Sequence, residues 1–167
     1  MRVEPWRHVF TIAAVVWAAA LPLAALAAAQ AASPALSLFA LPVYAAGSII
    51  CHQLPARSFY FWSAQMPVCA RCTGLYAGAA IAALCLVRGT RSPRLPPASR
   101  AVRARLAAAA LPTLATLAIE WTTGPAPSNI VRALAGLPLG AAVAWAIGAA
   151  LGSKGPRDVE AGFRRLP

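Results

Sequence analysis

The chain has 167 residues, of which 60% are hydrophobic and 11% charged, and its formal net charge is +11. A water-soluble domain carries roughly a quarter charged residues, because its surface must face water. This composition therefore excludes an ordinary soluble globule and points to an integral membrane protein. From Val9 to Ala56 the only Asp, Glu, Lys, Arg or His is His52, and between Pro5 and Arg157 the only acid is Glu120. A basic balance also raises nucleic-acid binding. Here the arginines lie in the gaps between apolar runs, with no basic groove interleaved with aromatics and no zinc-finger spacing. Membrane topology accounts for them better than nucleic acid does.

Five apolar segments follow one another: Val9–Ala29, Leu36–Ile50, Cys69–Val87, Leu106–Trp121 and Ile130–Leu151. A spanning helix needs about 20 residues. The first, third and fifth reach that length, and the fourth does so if Ala101–Arg105 or Thr122–Thr123 extend it. The second is short and contains Pro42 and Gly47, which suits a re-entrant or tilted half-helix. The expectation is an all-α, multi-pass bundle forming one domain over 1–167, with four spanning helices plus a half-helix, or five spans. In detail it places helix 1 at 8–30, the half-helix or helix 2 at 36–50, and an outer loop at 51–72. Helix 3 is expected at 69–88, an Arg/Pro loop at 89–105, helix 4 at 106–122, helix 5 at 130–152 and a flexible tail at 153–167. The first segment, with Arg2 and Arg7 ahead of it and Ala-rich sequence after it, also resembles a cleavable signal peptide. Its apolar stretch exceeds the ~7–15 residues of a signal core, which favours a retained helix.

Positive residues in short loops stay cytoplasmic. Arg88, Arg91, Arg94, Arg100, Arg103 and Arg105 crowd the connection after the third segment, and Lys154, Arg157, Arg164 and Arg165 follow the fifth. Both regions are expected on the cytoplasmic side of the cell membrane, which leaves the 51–72 loop outside. Gly136, Gly140, Ala144 and Gly148 recur every four residues on the fifth segment, and Gly74, Gly78 and Ala82 do so on the third. Such stripes let helix backbones approach closely where lipid gives no hydrophobic drive to associate.

Three of the four cysteines and one of the two histidines fall in the outer stretch. Cys51, His52, Cys69 and Cys72 form a Cys₃His set suited to zinc or another transition metal, with Cys69-x-x-Cys72 at the usual pair spacing. As metal ligands, their sulfur and imidazole atoms should lie within about 4 Å of one another, given metal–sulfur bonds of ~2.3 Å. Two alternatives stay open. Cys69 and Cys72 at the head of a helix suit a membrane thiol oxidoreductase, although the βαβ surroundings of a thioredoxin-like domain are missing. A structural clasp without chemistry is the other. Cys85, in mid-segment, reads as a packing residue.

Gln53, Arg57, Ser58, Arg71, Glu120, Asn129 and Arg132 are expected to form a polar cluster at an outward cavity. Glu120 is the sole carboxylate available to these arginines, and an ionisable group at membrane depth needs a partner or water. No Ser/His/Asp set and no phosphate-cradling glycine loop occur, so thiols are the only nucleophiles on offer. The inner halves of the helices offer no polar residues to line a transport path.

Cys51-His52-Gln53, Arg57-Ser58-Phe59, and Pro67-Val68-Cys69-Ala70-Arg71-Cys72-Thr73-Gly74-Leu75-Tyr76 with Gly78 resemble the "domain of unknown function 2085" family of predicted bacterial and archaeal membrane proteins. The resemblance continues through Ser128-Asn129, Arg132, Gly136 and Gly140, covering roughly Ala45–Gly140. Glu120 stands where the family often has Asp, and Ala56 stands where it often has Glu before the arginine. The resemblance implies membrane placement and marks these residues, but brings no established activity.

Overall fold

A computed structural model describes residues 5–30, 34–88, 99–124 and 126–153. Its elements are α1 (Pro5–Ala29), α2 (Pro34–Ile50), a single 3-10 turn (Pro55–Arg57), β1 (Ser58–Phe61), β2 (Ala64–Cys69), α3 (Ala70–Arg88), α4 (Arg100–Thr123) and α5 (Asn129–Ser153). Among the described residues, α1, α3, α4 and α5 are long and apolar enough to cross a membrane, and α2 is shorter. The chain is thus an all-α multi-pass bundle. The expected tail from Lys154 and the 89–98 part of the expected Arg/Pro loop lie outside the described residues.

Boundaries follow local chemistry. Pro5 and Pro34 open α1 and α2, where a missing N–H costs nothing because the first turn has no partner for it. The fourth helix begins at Arg100 and not at Leu106, because Ser99 caps it by accepting from the Val102 N–H at 3.3 Å. Arg100, Arg103 and Arg105 are therefore helical, and Arg105 lies over the Trp145 ring, 4.5 Å from its centroid. Gly124, at φ +77°, ends that helix in the left-handed region that favours glycine.

Helix directions come from contacts. On α1, Thr11 donates to the Ala83 carbonyl at 3.3 Å, Arg7 donates to the Leu86 carbonyl, and Trp17 meets Tyr76 edge-on at 5.9 Å. The partner number falls as the α1 number rises, so α1 and α3 are antiparallel. Between α3 and α5, Gly74 abuts Ala133, Gly78 abuts Leu137 and Gly140 abuts Leu75. Both numbers rise together, so these two helices are parallel. At each of these glycines, and at Gly136 against the Arg71 carbonyl, an added Cβ would collide with the neighbouring backbone. That is the close approach on which association in lipid depends. Thr113 of α4 donates to the Ala135 carbonyl of α5 at 2.8 Å, across an antiparallel pair joined by a short turn.

These directions sort the charges. Arg7, Arg88, Arg100, Arg103 and Arg105 fall at one end of the bundle, and Cys51, Cys69, Cys72 and Glu120 fall at the other. The helix α2 starts shortly after α1 reaches the thiol end and finishes next to Cys51, whose sulfur meets the Cys69 N–H. At about 1.5 Å per residue its 17 residues are also short of a 30 Å hydrocarbon layer.

The outer stretch is not a loop throughout. β1 and β2 form an antiparallel hairpin with Ser58 opposite Cys69, Tyr60 opposite Gln65 and Phe61 opposite Ala64. Trp62 (φ 43°) and Ser63 (φ 71°) make its two-residue turn, both left-handed, as the twist of a tight hairpin requires. A buried cluster of Leu21, Ala24, Val43, Cys51, Met66 and Val68 lies between α1, α2 and this hairpin. Outside it, Ile12, Val16, Leu38, Leu111 and Ile130 are among many exposed large apolar side chains, which suit a lipid-facing surface.

Candidate functional site

Three segments deliver the three sulfurs. Cys51 follows the last turn of α2, its N–H still bonded to the Gly47 carbonyl at 2.9 Å. Cys69 closes β2, and Cys72 lies in the first turn of α3. The Cys69 and Cys72 sulfurs are 3.5 Å apart, and the Cys51 sulfur accepts from the Cys69 N–H at 3.2 Å. All three sulfurs lie within 4.8 Å of one another. The bond shared with the Cys72 thiol holds the Cys69 thiol below its ordinary range, at about 5, against the opposing effect of burial.

A zinc–sulfur bond of ~2.3 Å implies tetrahedral sulfur–sulfur edges of roughly 3.8 Å. The observed trio is near that size, and its donors are the soft thiolates that such ions prefer. The residues fit a metal with three ligands in place. His52 is exposed and stands outside the three-sulfur group, although it lines the same cavity. The fourth ligand of the expected Cys₃His set is therefore absent from this arrangement.

The loop after Cys51 is pinned by Gln53, whose backbone sits at φ 48°. Its side-chain amide donates to the Tyr44 carbonyl at 3.1 Å and the Pro67 carbonyl at 2.7 Å. Its own carbonyl accepts from Gln65 at 2.6 Å, and Gln65 also reaches the Ser58 hydroxyl at 3.2 Å. Tyr44 donates to the Gln65 carbonyl. The network ties the loop to β2 and so holds Cys51 beside Cys69. Gly47 makes room for it, because a Cβ there would strike the Pro67 carbonyl.

Beside the thiols lies an ionic knot. Glu120, with its side chain 5% exposed, pairs with Arg132 at 2.8 Å, Arg57 at 3.0 Å and Arg71 at 3.1 Å. Arg71 also donates to Thr116 at 3.3 Å. Arg132 reaches Asn129 at 2.9 Å and the Ala56 carbonyl at 3.4 Å, and Asn129 donates to the Ser58 carbonyl at 2.9 Å. One turn and three helices thus converge on one carboxylate. The Nε atoms of Arg71 and Arg132 are buried without a partner, and Glu120 is the only acid among the described residues. Three guanidiniums against one carboxylate leave two surplus positive charges.

Thiols and arginines share one cavity of about 330 Å³, lined among others by Cys51, His52, Cys69, Cys72, Arg57, Arg71 and Arg132. Of the residues expected here, Ser58, Asn129 and Glu120 support its walls through the contacts above. Thr116, Tyr44 and Gln65 carry contacts that the sequence did not announce. Each is an ordinary polar residue in or beside an apolar segment, and only its cross-segment partner marks it.

The model of the family described as predicted membrane protein, domain of unknown function 2085, matches residues 51–146, more than half of the chain. The chain belongs to that family. An uncharacterized protein of Methanocaldococcus jannaschii is 56% identical over 36 residues, which are 22% of this chain and 23% of that protein. An uncharacterized protein of Methanothermobacter thermautotrophicus is 57% identical over 30 residues, 18% of this chain and 27% of that one. The chain thus matches about a quarter of the length of these relatives. No solved structure matches.

Proposed function

We propose that this member of the family is a metal-binding protein of the cell membrane, with Cys51, Cys69 and Cys72 holding zinc or another soft transition ion. The observation that carries the reading is that three thiols from three separate segments meet within 4.8 Å at the head of a membrane helix. A third sulfur beside the Cys69–Cys72 pair has no duty in a simple dithiol couple, but it is a ligand in a metal shell. The arginine-rich end is assigned to the cytoplasm and the thiol end to the outside, since basic connections are retained inside. The lipid bilayer is the one partner that the exposed apolar helices call for. His52, at the cavity, is near enough in sequence to join the shell only if the loop after Cys51 rearranges.

Metal analysis of protein purified in detergent tests this. About one zinc or copper per chain is expected, and it should be lost in Cys69→Ser. Cobalt(II) loading should give thiolate-to-metal charge-transfer bands that weaken in Cys51→Ser. A second reading, thiol–disulfide exchange, is supported by the 3.5 Å spacing of Cys69 and Cys72. It predicts no bound metal and a Cys69–Cys72 disulfide that cycles with reductant. Absence of metal from protein prepared without chelators overturns the metal reading.

A further inference from the structure

The three-sulfur cluster and the arginine knot share one cavity, and neither is complete alone. A tetrahedral ion on three thiolates keeps a fourth position. Three thiolates with a divalent ion carry one negative charge, which removes one of the two positive charges left over by Glu120. One positive charge remains unmatched, next to an ion lacking one ligand. The unmatched charge faces a cavity that an anion can enter beside the partly exposed Arg57, so this site favours an anion. The cavity of about 330 Å³ opens beside both groups. Arg57, with its side chain 38% exposed, is the most accessible of the three guanidiniums, whereas Arg132 at 4% is locked in the knot.

We propose that this cavity binds a small oxygen-donor monoanion, held by Arg57 and Arg71, whose oxygen fills the fourth position on the thiolate-bound metal. The inference rests on the metal reading above. Arg71 is fixed for this role by its pair with Glu120 at 3.1 Å, and it lines the same cavity as Cys69 and Cys72. A carboxylate suits a planar guanidinium, which donates two parallel hydrogen bonds to it. The phosphodiester of a lipid headgroup offers the same chemistry from the bilayer.

The test uses full-length protein loaded with cobalt(II), whose ligand-field bands respond to a change of inner ligand. Titration with acetate should shift those bands saturably. In Arg57→Gln the acetate affinity should fall by roughly tenfold or more, the usual loss for a charge-assisted hydrogen bond, while metal content stays near that of the parent. A band shift on moving the protein from a phosphate-free maltoside detergent into phospholipid nanodiscs, without any acetate response, supports the same chemistry with a headgroup as its source. Bands indifferent to both acetate and phospholipid, with metal fully bound, overturn this inference and leave the metal reading standing. Acetate binding detected by calorimetry without a band shift also overturns it, because the anion then sits away from the ion. Loss of metal itself would instead sink the reading beneath it.

Discussion

Replacing Glu120 by Gln removes the only carboxylate from a site holding three guanidiniums. Arg132 is buried at one of its oxygens, Arg71 is largely covered at the other, and Arg57 is partly solvated. Breaking one buried pair by removing a partner costs about 3–5 kcal/mol, because the remaining charge is left uncompensated. The Arg57 pair is discounted to less than about 1 kcal/mol, since water screens it. For a chain of this length each kcal/mol is worth roughly 2–4 °C of midpoint, so Glu120→Gln should lower the apparent Tm in detergent by about 6–20 °C. Arg132→Gln should approach the same loss, and Arg57→Gln should stay close to the parent. The double variant Glu120→Gln/Arg132→Gln should cost less than the sum of its parts, because the two groups interact. Differential scanning fluorimetry and membrane abundance read all four. A Glu120→Gln protein with the parent midpoint and abundance would refute the reasoning, and so would strict additivity of the pair.

Three further outcomes are expected. Gly140→Ala should sharply reduce membrane abundance, because the new methyl meets the Leu75 backbone, whereas Gly148→Ala should be milder, since only the Leu86 side chain must move. Western quantification of membrane fractions compares the two, and equal behaviour would contradict the packing account. With Cys51, Cys72 and Cys85 changed to Ser, a membrane-impermeant maleimide should label reduced Cys69 in intact cells, and label it poorly in inverted vesicles. The reverse pattern would overturn the assigned orientation. Gln53→Ala removes two donors that bind the Tyr44 and Pro67 carbonyls. It should lower metal content measurably by freeing the loop that carries Cys51, and undiminished metal binding would show that this staple does not set the site.

The bundle was readable because apolar length and charge spacing are one-dimensional signals. Cys69 and Cys72 were likewise legible, since a three-residue spacing across the start of a helix brings them together whatever the tertiary fold. The hairpin was not. Phe59, Tyr60 and Phe61 favour a strand, but Trp62-Ser63 is an unusual pair for two consecutive left-handed positions, where Asn-Gly is the expected marker. The fourth-helix start was hidden because Arg100, Arg103 and Arg105 read as loop charge, whereas arginine is also a good helix former. His52 shows a different limit. Adjacency to Cys51 suggested a shared ligand role, yet neighbouring side chains diverge, and the left-handed Gln53 directs the chain toward β2. Glu120 as an acid needing arginine partners followed from composition. That Arg57, Arg71 and Arg132 all reach it depends on three-dimensional closure that spacing does not encode.

The sorting of guanidiniums to opposite ends also makes the molecule an electrical dipole across the bilayer. Among the described residues, Arg7, Arg88, Arg100, Arg103 and Arg105 give five positive charges at one end, and the Glu120 knot leaves two at the other. A resting potential acts on the difference of three charges at about 2.3 kcal/mol per charge per 100 mV. For these charges the voltage of an energised membrane therefore favours the five-charge end on its negative side by roughly 7 kcal/mol per 100 mV over the inverted placement.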